Sequence, residues 1–516
     1  MTELTDATEA ALETEEESRV EAPRHRADSV RRNTFFGLAT NLSTAAFTAV
    51  LTLFLVRKLG PHDYGLFALA VSIGTVVILF ADLGITGSAG RFIAEESGNV
   101  RGIAAVVSDS TWLKFFVLAP LCVALIALAE PIANAYDAPG LVWPLRGMAI
   151  AVLGQGMFIF YRHVFVSIGR VSLTWRMIVF ESACEVGASI ALVLAGAGAA
   201  GAAFGRGIGY AVGVAFGVAM IWRTLGRGAI GVSGRGQARR VARYGSALLI
   251  VTIAYTLFEQ IGVLLIGAFI GTQAVGIFEA PNRLTIFLSY GGSALAAGIG
   301  PRLARRGDQA PDARAFTLAT RALLLLQGAL LAPVIVWAEP IADLVLGSGY
   351  SQSVGVLRAL APFMFLLATG TFLALTVNFV GEAKRRVWIA ISTLALCAAI
   401  DAALLPTIGV VGAAIGMDVA FAAYVLGHYW ICRRVFEFPV KRLLLTLGRC
   451  LLAAAAMAAV LALIGISSLT WWQWIAGAIL GPAAYLATLF GSGELTRREI
   501  ASALAQVPRP RLRSSS

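Results

Sequence analysis

Apolar stretches about as long as a bilayer-crossing helix recur along this chain, parted by short polar segments. Fourteen stand out, near 33–56, 65–84, 111–129, 143–165, 175–195, 202–222, 245–270, 275–299, 318–337, 355–380, 386–405, 410–431, 448–466 and 470–490. The pattern predicts an all-α, polytopic membrane protein of fourteen transmembrane helices. Residues 1–30 are polar and acidic with no apolar core, so they read as a disordered cytoplasmic tail rather than a signal peptide.

The apolar pattern repeats. Leu59-Gly60-x-x-x-x-Gly65-Leu66-Phe67 returns as Ile270-Gly271-x-x-x-x-Gly276-Ile277-Phe278, at an offset of 211. Gly198-x-x-Gly201-Ala202-Ala203-x-Gly205 returns as Gly409-x-x-Gly412-Ala413-Ala414-x-Gly416 at the same offset, and Ala129-Glu130-Pro131-Ile132-Ala133 returns as Ala338-Glu339-Pro340-Ile341-Ala342 at 209. Spans 1–6 and 7–12 are therefore read as tandem copies. An even number of spans per copy makes them parallel repeats, a plan used by transporters. The domains expected are a six-helix bundle over 31–222, a basic linker over 223–244, a second bundle over 245–432, two additional helices over 433–491 and a basic tail over 492–516.

Composition sharpens this picture. The chain has 516 residues, 58% of them hydrophobic and only 14% charged, against about 25% charged in soluble domains. The net charge of +11 has the sign that nucleic acid attracts, but its distribution is topological. With the N-terminus inside, the cytoplasmic segments hold 34 of the 41 Lys and Arg, leaving only Arg57, Lys58, Lys114, Arg146, Arg206, Arg283 and Arg358. Basic residues gather on the cytoplasmic side, so both termini are expected there. Anionic membrane lipid is a secondary partner, and no nucleic acid is expected. The five cysteines show no CxxC pairing and no HExxH occurs, so neither a disulfide, a metal nor another cofactor is expected.

Charges inside spans are costly and mark sites. Glu181 and Glu185 share a face of span 5, Glu259 lies in span 7, Glu279 and Arg283 share a face of span 8, and Asp418 lies in span 12. Arg283 lies about 12 Å down its helix at 1.5 Å per residue. Arg206, Arg358 and Asp401 fall near outer ends, where snorkelling suffices, and Asp82 reads as a solvated helix end. The bland alternative for Glu279 and Arg283 is a self-neutralising i,i+4 pair; for Glu181 and Glu185 it is a polar contact to span 6 or a hydrated pore wall. Gly196-x-Gly198-x-x-Gly201 matches a dinucleotide fingerprint but follows no strand. Gly205, Gly209, Gly213 and Gly217 form a smooth ridge suited to close helix packing.

At LVRKLGPHDYGLFALAVSI, FADLGITGSAGRFIAEE and GTQAVGIFEAPNRL the sequence resembles the polysaccharide-biosynthesis flippases, of the superfamily that also holds multidrug/toxin extruders and the lipid II flippase. The resemblance implies export of an undecaprenyl-diphosphate-linked glycan through a cavity between two bundles. It makes Arg283 the foremost candidate for the diphosphate, with Glu279 and Glu259 beside it in the substrate cavity and Arg206 and Arg358 receiving the substrate near the outer face. Glu181, Glu185 and Asp418 are the ion-coupling candidates. Glycan assembly enzymes are possible partners. A transporter rather than an enzyme is expected. The alternatives are a drug or cation antiporter of the same superfamily, favoured by the acidic residues, and a membrane glycan polymerase or glycosyltransferase, disfavoured by the short outer loops.

Overall fold

The structure, a computed structural model, describes residues 28–495 apart from 83, 227–229, 232–237, 239–240, 242–245, 304–311 and 437. The expected acidic N-terminal tail, most of the basic linker and the C-terminal tail beyond 495 lie outside the described residues. Among those residues every regular element is helical. Eleven helices are long and apolar enough to cross a membrane, and two of them, Arg32–Asp82 and Val171–Leu225, have 51 and 55 residues. Both long helices bend where the sequence placed a loop between two spans. These bends and the 32-residue Thr272–Leu303 bring the crossings close to the fourteen expected. The protein is thus a multi-span membrane protein.

The chain forms two compact units, divided after Gly276. In the N-terminal unit, α1 (Val30–Asp82) bends at Gly60, φ 71°, followed by Pro61. The short α2 (Ile85–Glu95) follows it. Then come α3 (Val100–Ala127), the short α4 (Ala129–Ala135), α5 (Val142–Ser167) and α6 (Val171–Leu192). A π turn over Val193–Ala197, with Gly196 at φ 89°, leads into α7 (Gly198–Leu225). Next, α8 (Ser246–Phe269) packs along α1, and α9 (Thr272–Leu303) begins in this unit.

The duplicated glycines have separate tasks. Gly60 and Gly271 both take positive φ, 71° and 118°, as do Gly198 and Gly409, 52° and 66°; these are the backbone turns that glycine alone adopts cheaply. Gly65 and Gly276 permit contact instead. A β-carbon on Gly65 would lie 2.8 Å from the carbonyl carbon of Thr272, and one on Gly276 would lie 2.8 Å from that of Pro61. Thr272 is the repeat counterpart of Pro61, and Gly276 of Gly65. The two copies of the motif therefore dock on one another reciprocally, backbone against backbone.

The C-terminal unit starts at Ile277 within α9 and continues through α10 (Ala313–Val336), the short α11 (Ala338–Val345) and α12 (Ser353–Ala359), then α13 (Ala361–Phe379), α14 (Arg386–Ile408) and α15 (Val410–Val435). The two added helices, α16 (Val440–Ile464) and α17 (Trp471–Gly491), form a hairpin fixed to α10 along its length. At one end the Trp337 indole donates to the Gly465 carbonyl at 2.9 Å and stacks edge-on against Trp474. Midway, Tyr485 donates to the Leu325 carbonyl at 2.8 Å. At the far end Glu494 receives Arg321 at 2.7 Å, Arg449 at 3.0 Å and Thr446 at 2.8 Å. Of the tryptophans in the first turn of α17, Trp471 and Trp472 are exposed, whereas Trp474 is packed.

Candidate functional site

The glycine ridge of α7 explains how two carboxylates come to be buried in the N-terminal unit. Gly205, Gly209, Gly213 and Gly217 lie respectively against Ser189, Glu185, Glu181 and Met177 of α6. Each pair advances by four residues, so the two helices run together with no side chain on the α7 face. This close approach covers Glu181 and Glu185, leaving them 4% and 8% exposed. They lie between helices rather than on an open wall.

Arg206 of α7 does not snorkel. Its guanidinium donates to Glu185 at 2.6 Å, to the Tyr210 hydroxyl at 3.2 Å and to Gln155 of α5 at 3.5 Å. Glu181 receives the Ser182 hydroxyl at 3.0 Å, while its other oxygen has no hydrogen-bond partner among the described residues. Arg162, from α5, lies within electrostatic reach of Glu181 and Tyr210. The outcome is a compact cluster of two carboxylates and two guanidiniums, closed on one side by the Phe158 ring against Tyr210.

A second buried group joins α1, α2 and α3. Lys114 is 1% exposed, its ammonium 2.5 Å from Asp82 and 2.6 Å from the Thr86 hydroxyl, which itself donates to Asp82 at 2.5 Å. Asp82 is therefore an ion-pair partner rather than the solvated terminus its position suggested. A lone buried charge is so costly that the pair must stay together.

In the C-terminal unit, Arg283 and Glu279 form the i,i+4 pair that their spacing allowed, at 2.5 Å. Asn282 donates to the second Glu279 oxygen at 2.9 Å. Glu279 is 5% exposed at its side chain and Arg283 28%, so the guanidinium is the accessible member. Glu259, on α8 of the N-terminal unit, is exposed. Arg358 is exposed at the end of α12 and donates to the Ile335 carbonyl at 3.2 Å, in the last turn of α10. Asp418 accepts the Phe363 N–H at 2.8 Å, an orphan donor in the first turn of α13. Asp401, expected to snorkel, is fully buried against Gly416, with the Cys397 thiol donating to it at 3.6 Å.

Sequence reasoning overlooked several members of these groups. Arg162, Gln155 and Tyr210 gave no signal, since one belongs to a basic helix end and the others to apolar spans. A further cluster near the end of α15 was also unseen: Arg386 donates to His428 Nε2 at 3.2 Å and to Asn378 at 2.6 Å. The second His428 nitrogen lies 2.9 Å from the Tyr424 carbonyl, so Nδ1 carries the proton and Nε2 accepts.

Comparison with known proteins follows the same lines. The chain is 24% identical over 512 residues to the succinoglycan biosynthesis transport protein ExoT of Rhizobium meliloti (strain 1021), covering 94% of this chain and 98% of that one. It is 22% identical over 444 residues to the probable low-salt glycan biosynthesis flippase Agl15 of Haloferax volcanii, covering 84% and 89%. Its fold resembles that of the lipid II flippase MurJ in an inward closed conformation, with a TM-score of 0.71 at 12% identity over 88% of this chain and 98% of the other. It also resembles an inward-facing multidrug-resistance MATE transporter of the MOP superfamily, with a TM-score of 0.61 at 16% identity over 81% and 97%. Residues 30–306, more than half the chain, match the family described as polysaccharide biosynthesis protein. With its repeated helical halves and its charges paired inside the spans, the chain belongs to the polysaccharide biosynthesis protein family.

Proposed function

We propose that the protein is a flippase carrying an undecaprenyl-diphosphate-linked oligosaccharide from the cytoplasmic to the outer leaflet of the inner membrane by alternating access. The observation that carries this reading is the likeness, over nearly the whole of both chains, to a transport protein of succinoglycan biosynthesis. Both termini are cytoplasmic in this reading, in keeping with the placement of 34 of the 41 basic residues. The halves over 31–222 and 245–432 do the work, the hairpin over 433–491 is accessory, and glycan assembly enzymes are partners. The protein is a transporter and not an enzyme.

The paired charges suggest how an anionic headgroup is handled. Arg206 and Arg283 each hold a carboxylate, at 2.6 Å and 2.5 Å. A diphosphate competes for the same guanidinium fork. Exchange at Arg283 would leave Glu279 with Asn282 as its neighbour on the same helix. Glu181, Glu185, Glu259 and Asp418 are further candidate ion groups, and Arg206 and Arg358 are candidate later contacts for the headgroup.

The test is the leaflet distribution of lipid-linked oligosaccharide in a strain lacking redundant flippases. Deletion is expected to trap the intermediate on the cytoplasmic leaflet, and Arg283→Ala to reproduce the trap in inserted protein. An unchanged distribution on deletion would overturn the reading. The antiporter alternative instead requires altered drug sensitivity with the lipid intermediate unaffected.

A further inference from the structure

Beside the docked glycine turns of the N-terminal unit lies a cavity of about 340 Å³, mostly polar, whose lining includes His62, Tyr136, Asp137, Thr272 and Gln273. Its walls come from the α1 bend, the end of α4 and the α8–α9 turn. His62 Nδ1 lies 3.3 Å from the Thr272 hydroxyl across it. Under the topology proposed above this is the outer face.

Asp137 carries the argument. It ends α4 at φ 47°, and Asp137 and Ser468 are the described non-glycine residues with positive φ. Its N–H donates to the Asn134 carbonyl at 3.1 Å, and the Ala138 N–H to that of Ala133 at 2.9 Å. This is a helix-closing turn where glycine is the usual residue. A side chain there costs about 1–2 kcal/mol. In the second copy the residue 209 positions on is Leu346, at φ −92°, so the positive φ at this position belongs to the first copy. The first copy thus keeps a carboxylate where its backbone favours glycine, and there the carboxylate lines a cavity.

We propose that this cavity is a carbohydrate subsite on the outer face, where a neutral sugar lies against Tyr136 and presents its hydroxyls to Asp137, Gln273 and His62. The reading rests on the flippase function, which makes that face the side of the exported glycan. A half-buried aromatic ring suits the C–H face of a sugar, and a carboxylate, an amide and an imidazole together supply both acceptors and donors for hydroxyls. The volume lies in the range of small-molecule sites. No Lys or Arg is among the lining residues, so the chemistry fits the sugar rather than the diphosphate. Because both turns wall the cavity, it exists only while they are docked. By linkage, a bound sugar favours the docked state, so released glycan would hold this face closed.

The experiment is saturation-transfer NMR on full-length protein in lipid nanodiscs, with glucose, galactose and N-acetylglucosamine as probes. Saturable transfer to at least one sugar is expected in the wild type. Asp137→Gly is expected to weaken it about tenfold, the worth of one charged hydrogen bond. The same variant should unfold thermally at or above the wild-type midpoint, since glycine suits this backbone. Tyr136→Leu should weaken binding of the same sugar. No saturable transfer in the wild type, or undiminished transfer in Asp137→Gly, would overturn the subsite. If deletion still traps lipid-linked oligosaccharide in that case, the flippase reading stands and the subsite alone fails.

Discussion

A methyl group on Gly65 would act on the docked turns directly. The new β-carbon would meet the Thr272 carbonyl, 2.8 Å from its carbon, and lie 2.9 Å from the Gly276 nitrogen. Both obstacles are backbone, so no side chain can rotate aside. Overpacking of this kind costs about 1–3 kcal/mol. Only the docked arrangement bears the clash, so the ratio of docked to separated turns should fall about 5- to 150-fold. Gly276→Ala meets the Pro61 carbonyl in the same way and should have an effect of the same size. The two changes press on one contact, so together they should cost less than the sum. A cysteine replacing buried Ala274 reports the separation through labelling by a membrane-impermeant maleimide; four of the five native cysteines are buried, which keeps the background low. Gly187→Ala, with nothing within 4 Å of the added carbon, is the control. Equal labelling of all three variants would refute the reasoning.

Breaking the buried Lys114–Asp82 pair from one side, as in Lys114→Met, should destabilise the protein by about 3–5 kcal/mol, with much of that recovered in Lys114→Met/Asp82→Asn; thermal unfolding in detergent checks both. Burial pushes the Glu494 carboxyl up, but hydrogen bonds from Arg321, Arg449 and Thr446 outweigh it and hold the group below the ordinary glutamate range. A depressed value means the stabilisation is complete above the unfolded pKa of about 4.3 and is lost as pH falls through the folded value. The protection factor of the amides at the end of α17 should therefore stay constant from neutral pH down to about 5 and fall only in stronger acid, whereas Glu494→Gln should lower it at neutral pH. At Asp418, Asn keeps an acceptor for the Phe363 N–H, so Asp418→Asn should preserve stability while Asp418→Ala loses about 0.5–2 kcal/mol. Lost transport in a stable Asp418→Asn protein would assign Asp418 to ion coupling.

The helical plan was open to reading because each span needs a long apolar run, and a duplicated backbone turn needs glycine twice at one spacing. Gly60 with Gly271, and Gly198 with Gly409, bear this out in their positive φ values. The Glu279–Arg283 pair was equally open, since an i,i+4 contact belongs to one helix. Contacts between helices were hidden. Glu185 and Arg206 lie 21 positions apart, and Asp82 and Lys114 32, and nothing in a linear pattern distinguishes such partners from charges that reach for water. Asp82, Arg206 and Asp401 were misplaced for that one reason. The glycine ridge of α7 did hold the missing clue: a helix with no side chains on one face must lie against whatever its neighbour presents, and α6 presents Glu181 and Glu185.

The reciprocal contact at Gly65 and Gly276 has the form of an isologous interface, in which residue i touches j and j touches i. In a homodimer with such an interface, one glycine would make both contacts at once. Neither glycine can gain a side chain without spoiling the surface its twin rests on. The pair thus works as a dimer contact held within one polypeptide, where a change on either side is felt by both.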